Sequence, residues 1–281
     1  MTRSGVCIAG VSTICFLLNR PAPARAWGAV GHAVVTRAAL GACAGLPPWF
    51  REAGAALASL SNAPDRWRNL EERIPALEAR APDHFFDLDE WGEGELPADR
   101  WAYVRRAMRR RVDPAGVGFL PYALLEEYGE LVSAFRDARA GRPGGREAAL
   151  STAGVLAHLA GDAVVPLHAT RHHHGWVGPN PRGFTRNGRV HAWFETDLVV
   201  GIDAATVPAR PEARRALRDP ARTVRDAVAD SLAQVPRVYE AELRSRRGDD
   251  EAARVLVRER LAFGATLLAR LWRTAWVRSG G

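Results

Sequence analysis

Lysine is missing from this chain, and all 39 positions counted as Lys or Arg are arginine. So uniform a choice reads as a compositional bias and assigns no function. Cysteine is scarce as well. Of Cys7, Cys15 and Cys43, the first two lie in a stretch expected to be removed, so Cys43 is left alone and no intrachain disulfide can form. No Asn-x-Ser/Thr triplet follows that stretch, which leaves no acceptor for N-glycosylation. Convincing runs of alternating apolar and polar residues are lacking, which argues against a β class. The absence of an internal repeat or a linker-like segment points to one domain.

What is present begins with a leader. Arg3 supplies a positive start, Val6 to Leu18 an apolar run, and Ala24-Arg25-Ala26 a small-x-small cleavage site. The apolar run is too short to span a bilayer comfortably and is followed by Asn19, Arg20, Pro21 and Pro23. Bulky Ile14 before Cys15 makes that cysteine a poor lipid acceptor. The expectation is a secretory signal peptide over 1–26, cut before Trp27, and a secreted or periplasmic domain over 27–281 with no stable membrane anchor and no evident protein partner. The leader carries three arginines and no acid, so the formal charge of +7 falls to about +4, which suits phosphate-bearing substrates without requiring them.

After Trp27 the periodicity is helical nearly throughout. Val30, Val34 and Ala38 mark a helix from Trp27 to Ala42 that stops before Pro47-Pro48. Further helices are expected over Ala98 to Val112, with a basic face of Arg105, Arg106, Arg109 and Arg110, over Pro121 to Ala140, and over Arg146 to Val165. Asp219-Pro220 is a good N-cap and first-turn pair for a helix with Val224, Val228, Leu232 and Val235 inward, which Pro236 should kink or break. From Asp250 to Val277 the positions Val257, Leu261, Gly264, Leu268, Leu271 and Ala275 form a core stripe. The fold class is all-α.

The chemistry concentrates in His158 to His168 and His191 to Glu195. On helices, His158/Asp162 and His191/Glu195 are i,i+4 pairs, each projecting an imidazole and a carboxylate from one face, as metal-binding helices do. A single such pair is usually only a solvated contact; two of them, with His168 between, make a site the better reading. Candidate partners upstream are His32, Asp65 and His84. A cut before Trp27 would also create a free α-amine beside its own carbonyl, a chelating pair. The 169–189 stretch between the pairs reads as a long, irregular and functional loop, and its His172-His173-His174 run as exposed rather than ligating.

Taken in order, Trp27-Gly28-x-x-Gly31-His32, Asp65, His84-Phe85, His158-x-x-x-Asp162, Pro166-Leu167-His168 and His191-x-x-x-Glu195 resemble the phospholipase C/P1 nuclease superfamily of secreted, mainly helical enzymes with three zinc ions. The steps from Trp27 to His32 and from His168 to His191 resemble the S1/P1 nuclease branch. The resemblance implies a single multi-helix domain around a trinuclear zinc site. One zinc would be held by Asp65, His84, His158 and Asp162; a second by the Trp27 amine and carbonyl, His32 and Asp162; a third by His168, His191 and Glu195. It further implies phosphodiester hydrolysis by a zinc-bridging hydroxide, with Asp65 and Asp87 in catalytic roles, Arg68 on a phosphoryl oxygen and Phe85 stacking on a base. The substrate implied is single-stranded DNA, RNA or nucleotides.

Other readings of these residues remain open. Arg68 could pair with Glu71 or Glu72, Asp87 could cap a turn, and Phe85 could be core. Glu195, where nucleases usually have Asp, leans toward the zinc-dependent phospholipase C branch and its lipid head groups, and a 175–183 loop unlike that of the nucleases leaves the substrate contacts open. Val30 and Arg66 lean away, since a choline head wants acidic and aromatic neighbours. A non-catalytic exported zinc-binding protein would keep the ligands without needing Arg68 and Asp87.

Overall fold

Apolar stripes at helical spacing need partners, and six long helices supply them to one another in this computed structural model, which describes residues 27–43, 45–68, 70, 74–92 and 94–280. They are α1 (Gly28–Ala42), α2 (Arg100–Arg109), α3 (Leu120–Arg139), α4 (Gly145–Asp162), α5 (Pro220–Ser245) and α6 (Glu251–Arg278). Shorter helical turns connect them. Among the described residues the only extended pairing is one antiparallel bridge, Phe86 to Gly118, so the fold is all-α. The leader assigned to 1–26 lies outside the described residues.

α4 is central: it packs along α3, against α6 and against α1, while α6 also meets α1, α3 and α5. The stripe expected on α6 is buried at every position from Val257 to Ala275. Phe50, Phe135 and Trp272 close one end of this core with rings 5.2 to 5.5 Å apart. Buried aromatic pairs of this kind add roughly 0.5–1.5 kcal/mol each beyond their apolar area. No helix among the described residues is long and apolar enough to cross a membrane.

Asp219 caps α5 as its sequence predicts, accepting from the Arg222 amide at 2.9 Å. Three expectations are corrected. α5 is not broken at Pro236 but runs on to Ser245; Pro236 lies on the exposed face, where the carbonyl that loses its amide partner can be hydrated. α4 ends at Asp162 rather than Val165, because the residue before Pro166 is pushed into extended backbone. Val30 is 47% exposed, since at that level of α1 the inward face is formed by Trp27, Gly28, Gly31 and His32.

The turn after α4 is fixed from below. Ser231 donates to the Ala163 carbonyl at 2.8 Å, and the nearly buried Arg260 donates to the Val164 carbonyl at 2.7 Å while pairing with Asp230. Val165, Pro166 and Leu167 are buried above these bonds. His168 is thereby held at a set height against α4.

Candidate metal centre

Every ligand proposed from the sequence other than Trp27 is a His, Asp or Glu side chain, and the fold brings all of these together. Asp162, the last residue of α4, lies at the middle. Its Oδ2 is 3.0 Å from His84 Nδ1 and 3.3 Å from His158 Nε2. Its Oδ1 faces His32 Nε2 at 3.5 Å. Asp65 Oδ1 stands 3.9 Å from His158 Nε2. His168 and His191 aim Nε2 at Glu195, at 3.6 and 2.8 Å. Three sets of donor atoms result, each compact enough for one ion: His32, His158 and Asp162; Asp65, His84 and His158; and His168, His191 and Glu195.

Backbone carbonyls set the imidazole orientations. His158 Nδ1 bonds the Ser61 carbonyl at 2.8 Å, His168 Nδ1 the His84 carbonyl at 2.6 Å, and His191 Nδ1 the His173 carbonyl at 3.1 Å. A carbonyl only accepts, so each Nδ1 carries a proton and each Nε2 faces the cluster, where a neutral imidazole presents a lone pair. The 84–88 segment is zipped to the His168 turn by Phe86 N to His168 O at 2.8 Å and Leu88 N to Ala169 O at 3.1 Å.

Trp27 is fully buried. Its indole Nε1 donates to the Gly161 carbonyl at 2.9 Å, one residue from Asp162, and its own carbonyl accepts from Gly31 N at 3.0 Å as the first bond of α1. The glycines of this region are explained by space. A Cβ on Gly31 would come within 2.8 Å of the Trp27 side chain, and one on Gly161 within 2.7 Å of His32 Nδ1.

His191 Nε2 and Glu195 Oε1, 2.8 Å apart, form no aligned hydrogen bond. Also buried without a hydrogen-bond partner among the described residues are both nitrogens of His32, Asp162 Oδ1 and both oxygens of Glu195. Buried acceptors facing one another are costly unless a cation or a proton lies between them. The donor set of imidazole nitrogen and carboxylate oxygen is one that divalent cations of the zinc type accept. The buried groups can therefore hold metal ions.

Proton affinities of the ion-free site follow the same geometry. Burial, then the neighbouring His158, depresses His32 far below the usual imidazole range. Burial takes His84 down to about 4. Burial would lower His158 and His168 too, but Asp162 overrides it at His158, and Glu195 with Asp162 pushes His168 up to about 9. Burial opposes ionisation of Asp162, yet His158 and His168 hold it well below the usual carboxylate range. In the ion-free protein the His168 proton thus stabilises the fold below about pH 6.5, and that contribution is lost as pH rises through about 9. An ion at His168 must displace this proton. The apparent affinity of its site is accordingly expected to drop about tenfold per pH unit below 9, readable by competitive zinc titration near pH 7 and 9. Equal affinities at the two would contradict the assignment.

Arg68 pairs with Asp65 at 2.7 Å; Glu71 and Glu72, its partners in the alternative reading, lie outside the described residues. Asp87 opens a short helical turn without using its side chain as a cap. Its carboxylate is buried 3.7 Å from His173 Nδ1, and burial together with Asp89 raises its pKa to about 8 in the ion-free site. Phe85 is half-buried, 6.4 Å from the His173 ring. A cleft of about 180 Å³ opens over the cluster, lined by Arg68, Phe85, His168, His173, His174 and His191 among others.

No family model matches the chain, and none of the curated proteins searched matches it. The resemblance set out above stands on the ordered ligand set alone.

The His172-His173-His174 run is corrected from an exposed loop: all three are half-buried, and His173 and His174 form part of the cleft wall. His172 stacks on Trp176 at 4.0 Å, His173 bonds the Thr170 carbonyl at 3.0 Å, and the His174 ring lies 5.2 Å from His191. Its place just after His168, between two ligand-bearing segments, was the signal that could have shown this. His191 and Glu195 do not share a regular α-helix: a four-residue helix gives way to a π-helical turn over Trp193–Asp197.

Proposed function

We propose that the protein is an exported zinc-dependent phosphodiesterase that cleaves single-stranded nucleic acid. The observation carrying this is the convergence of three metal-capable groups around Asp162 beneath one cleft with a guanidinium and an aromatic ring on its wall. Asp65, His84, His158 and Asp162 would hold one zinc; His32, Asp162 and the Trp27 amine and carbonyl a second; His168, His191 and Glu195 a third. Bound zinc supplies Lewis acidity and an acidified water at neutral pH.

The remaining work falls to the chain. Arg68, fixed in place by Asp65, offers a planar fork suited to a phosphoryl oxygen. Asp87, sheltered beside His173, is an acceptor that orients a water once nearby cations favour its ionised form. Phe85 and His173 present ring faces to a base, a contact tolerant of sequence.

Purified protein beginning at Trp27 is expected to hydrolyse single-stranded DNA or RNA, to fall silent in excess chelator and to recover with zinc. Activity that persists in chelator would sink the proposal. Inert nucleic acid with release of the phosphorylated head group from phosphatidylcholine would replace the nuclease by a phospholipase.

A further inference from the structure

The two largest clefts share no residue with the one over the metal centre. The first, of about 720 Å³, has Arg37, Arg210 and Arg214 on its walls over small residues such as Ala38, Gly41 and Ala209. The second, of about 560 Å³, is walled by Arg215, Arg218, Arg222 and Arg270. Arg214 of the first cleft and Arg215 of the second are consecutive, which puts the two clefts on either side of the end of the Pro211–Arg214 turn.

These guanidiniums are only partly compensated. Among the described residues only Arg222 has a carboxylate partner, Asp226 at 3.7 Å, on an exposed surface. Asp219 and Asp226 are the two acids on the wall of the second cleft, against its four arginines; Asp219 also caps α5, and Glu212, in the turn between the clefts, forms no ion pair with any of these arginines. Arg270 is instead held on the Arg215 carbonyl at 3.3 Å, and the neighbouring Arg278 on the Arg218 carbonyl at 3.0 Å. Like charges gathered on one surface repel unless counter-anions offset them. The room is that of a ligand site, and no aromatic residue lines either cleft, so a nucleic acid there would be gripped by its phosphates with its bases unread.

We propose that the two clefts form one track for the phosphodiester backbone of single-stranded nucleic acid, separate from the metal centre. The choice of nucleic acid over another polyanion rests on the nuclease reading; the arginine track does not.

The test measures binding of a phosphorothioate-linked oligonucleotide to the zinc-loaded protein and to R214E/R218E across a salt series. Each phosphate contact contributes about 0.7 to the slope of log affinity against log salt for single strands. The double variant is expected to lose roughly 1.4 from that slope and about tenfold in affinity at low salt. Turnover of bis(p-nitrophenyl) phosphate, which is too small to reach from the metal cleft to the track, should be unchanged. R214Q/R218Q guards against a folding effect of charge reversal and should show the same loss of slope. An unchanged slope in both variants, or no binding by the wild type, overturns the track. A reduced slope in a protein that cleaves no nucleic acid keeps the track and removes the nuclease.

Discussion

Asp162→Ala is expected to leave a protein with no measurable turnover and depleted of metal. The carboxylate is fully buried, with His32, His84 and His158 within 3.5 Å of its oxygens. Asp162 belongs to the first donor set with His32 and His158, and its Oδ2 also lies 3.0 Å from His84 of the second, so the loss reaches both. Loss of an outer-shell partner alone typically costs 10–100-fold in metal affinity or activity, so loss of this central carboxylate should exceed about 100-fold. The fold should suffer as well. Removing one member of a buried charged pair costs about 3–5 kcal/mol because the other is left uncompensated, and His168 is held protonated in the ion-free protein by Glu195 and by this very group. Metal analysis, turnover and thermal unfolding of the variant check the three consequences together. Full zinc content in Asp162→Ala would place the ions elsewhere.

An extra residue before Trp27 is expected to do nearly as much damage to activity and to weaken the fold at the same time. With a preceding residue Trp27 adopts φ +27°, a conformation that costs a non-glycine residue about 1–3 kcal/mol. A first residue has no φ, so a chain starting at Trp27 escapes that cost. Its indole is fixed to the Gly161 carbonyl and its Cβ sits over Gly31, which leaves the backbone little freedom to move aside. In the proposed site the α-amine is also a ligand, and acylation removes its lone pair. Proteins starting at Trp27 and at Ala26 should therefore differ by at least about 100-fold in turnover, by analogy with lost metal partners, and the longer one should melt earlier. Equal activity would remove Trp27 from the ligand set while leaving the carboxylate cluster intact.

Local spacing made the long helices legible, and local chemistry made several of their ends legible too. Asp219-Pro220 begins α5 because a carboxylate and a proline suit its first turn, and the α6 stripe is buried because steps of three and four keep one face inward. The i,i+4 pairs were readable for the same reason. What escaped the sequence depends on groups with no local signature. The Ser61, His84 and His173 carbonyls that turn three imidazoles inward belong to residues chosen for other reasons, and any residue supplies a carbonyl. Pro236 misled because a local rule says nothing of whether the stranded carbonyl meets water. The arginines of the two large clefts come from α1, the 208–222 stretch and α6, and only folding makes them neighbours.

Asp162 also terminates α4, and the peptide dipoles of that helix add their negative end to the carboxylate's charge, equivalent to about half an elementary charge. Without cations, this helix terminus and Asp162 set negative charge beneath the cleft, offset in part by protonated His168 and by Arg68 on the wall. In the proposed enzyme, bound cations would tip this balance further toward positive, so metal loading would favour the later arrival of an anionic strand.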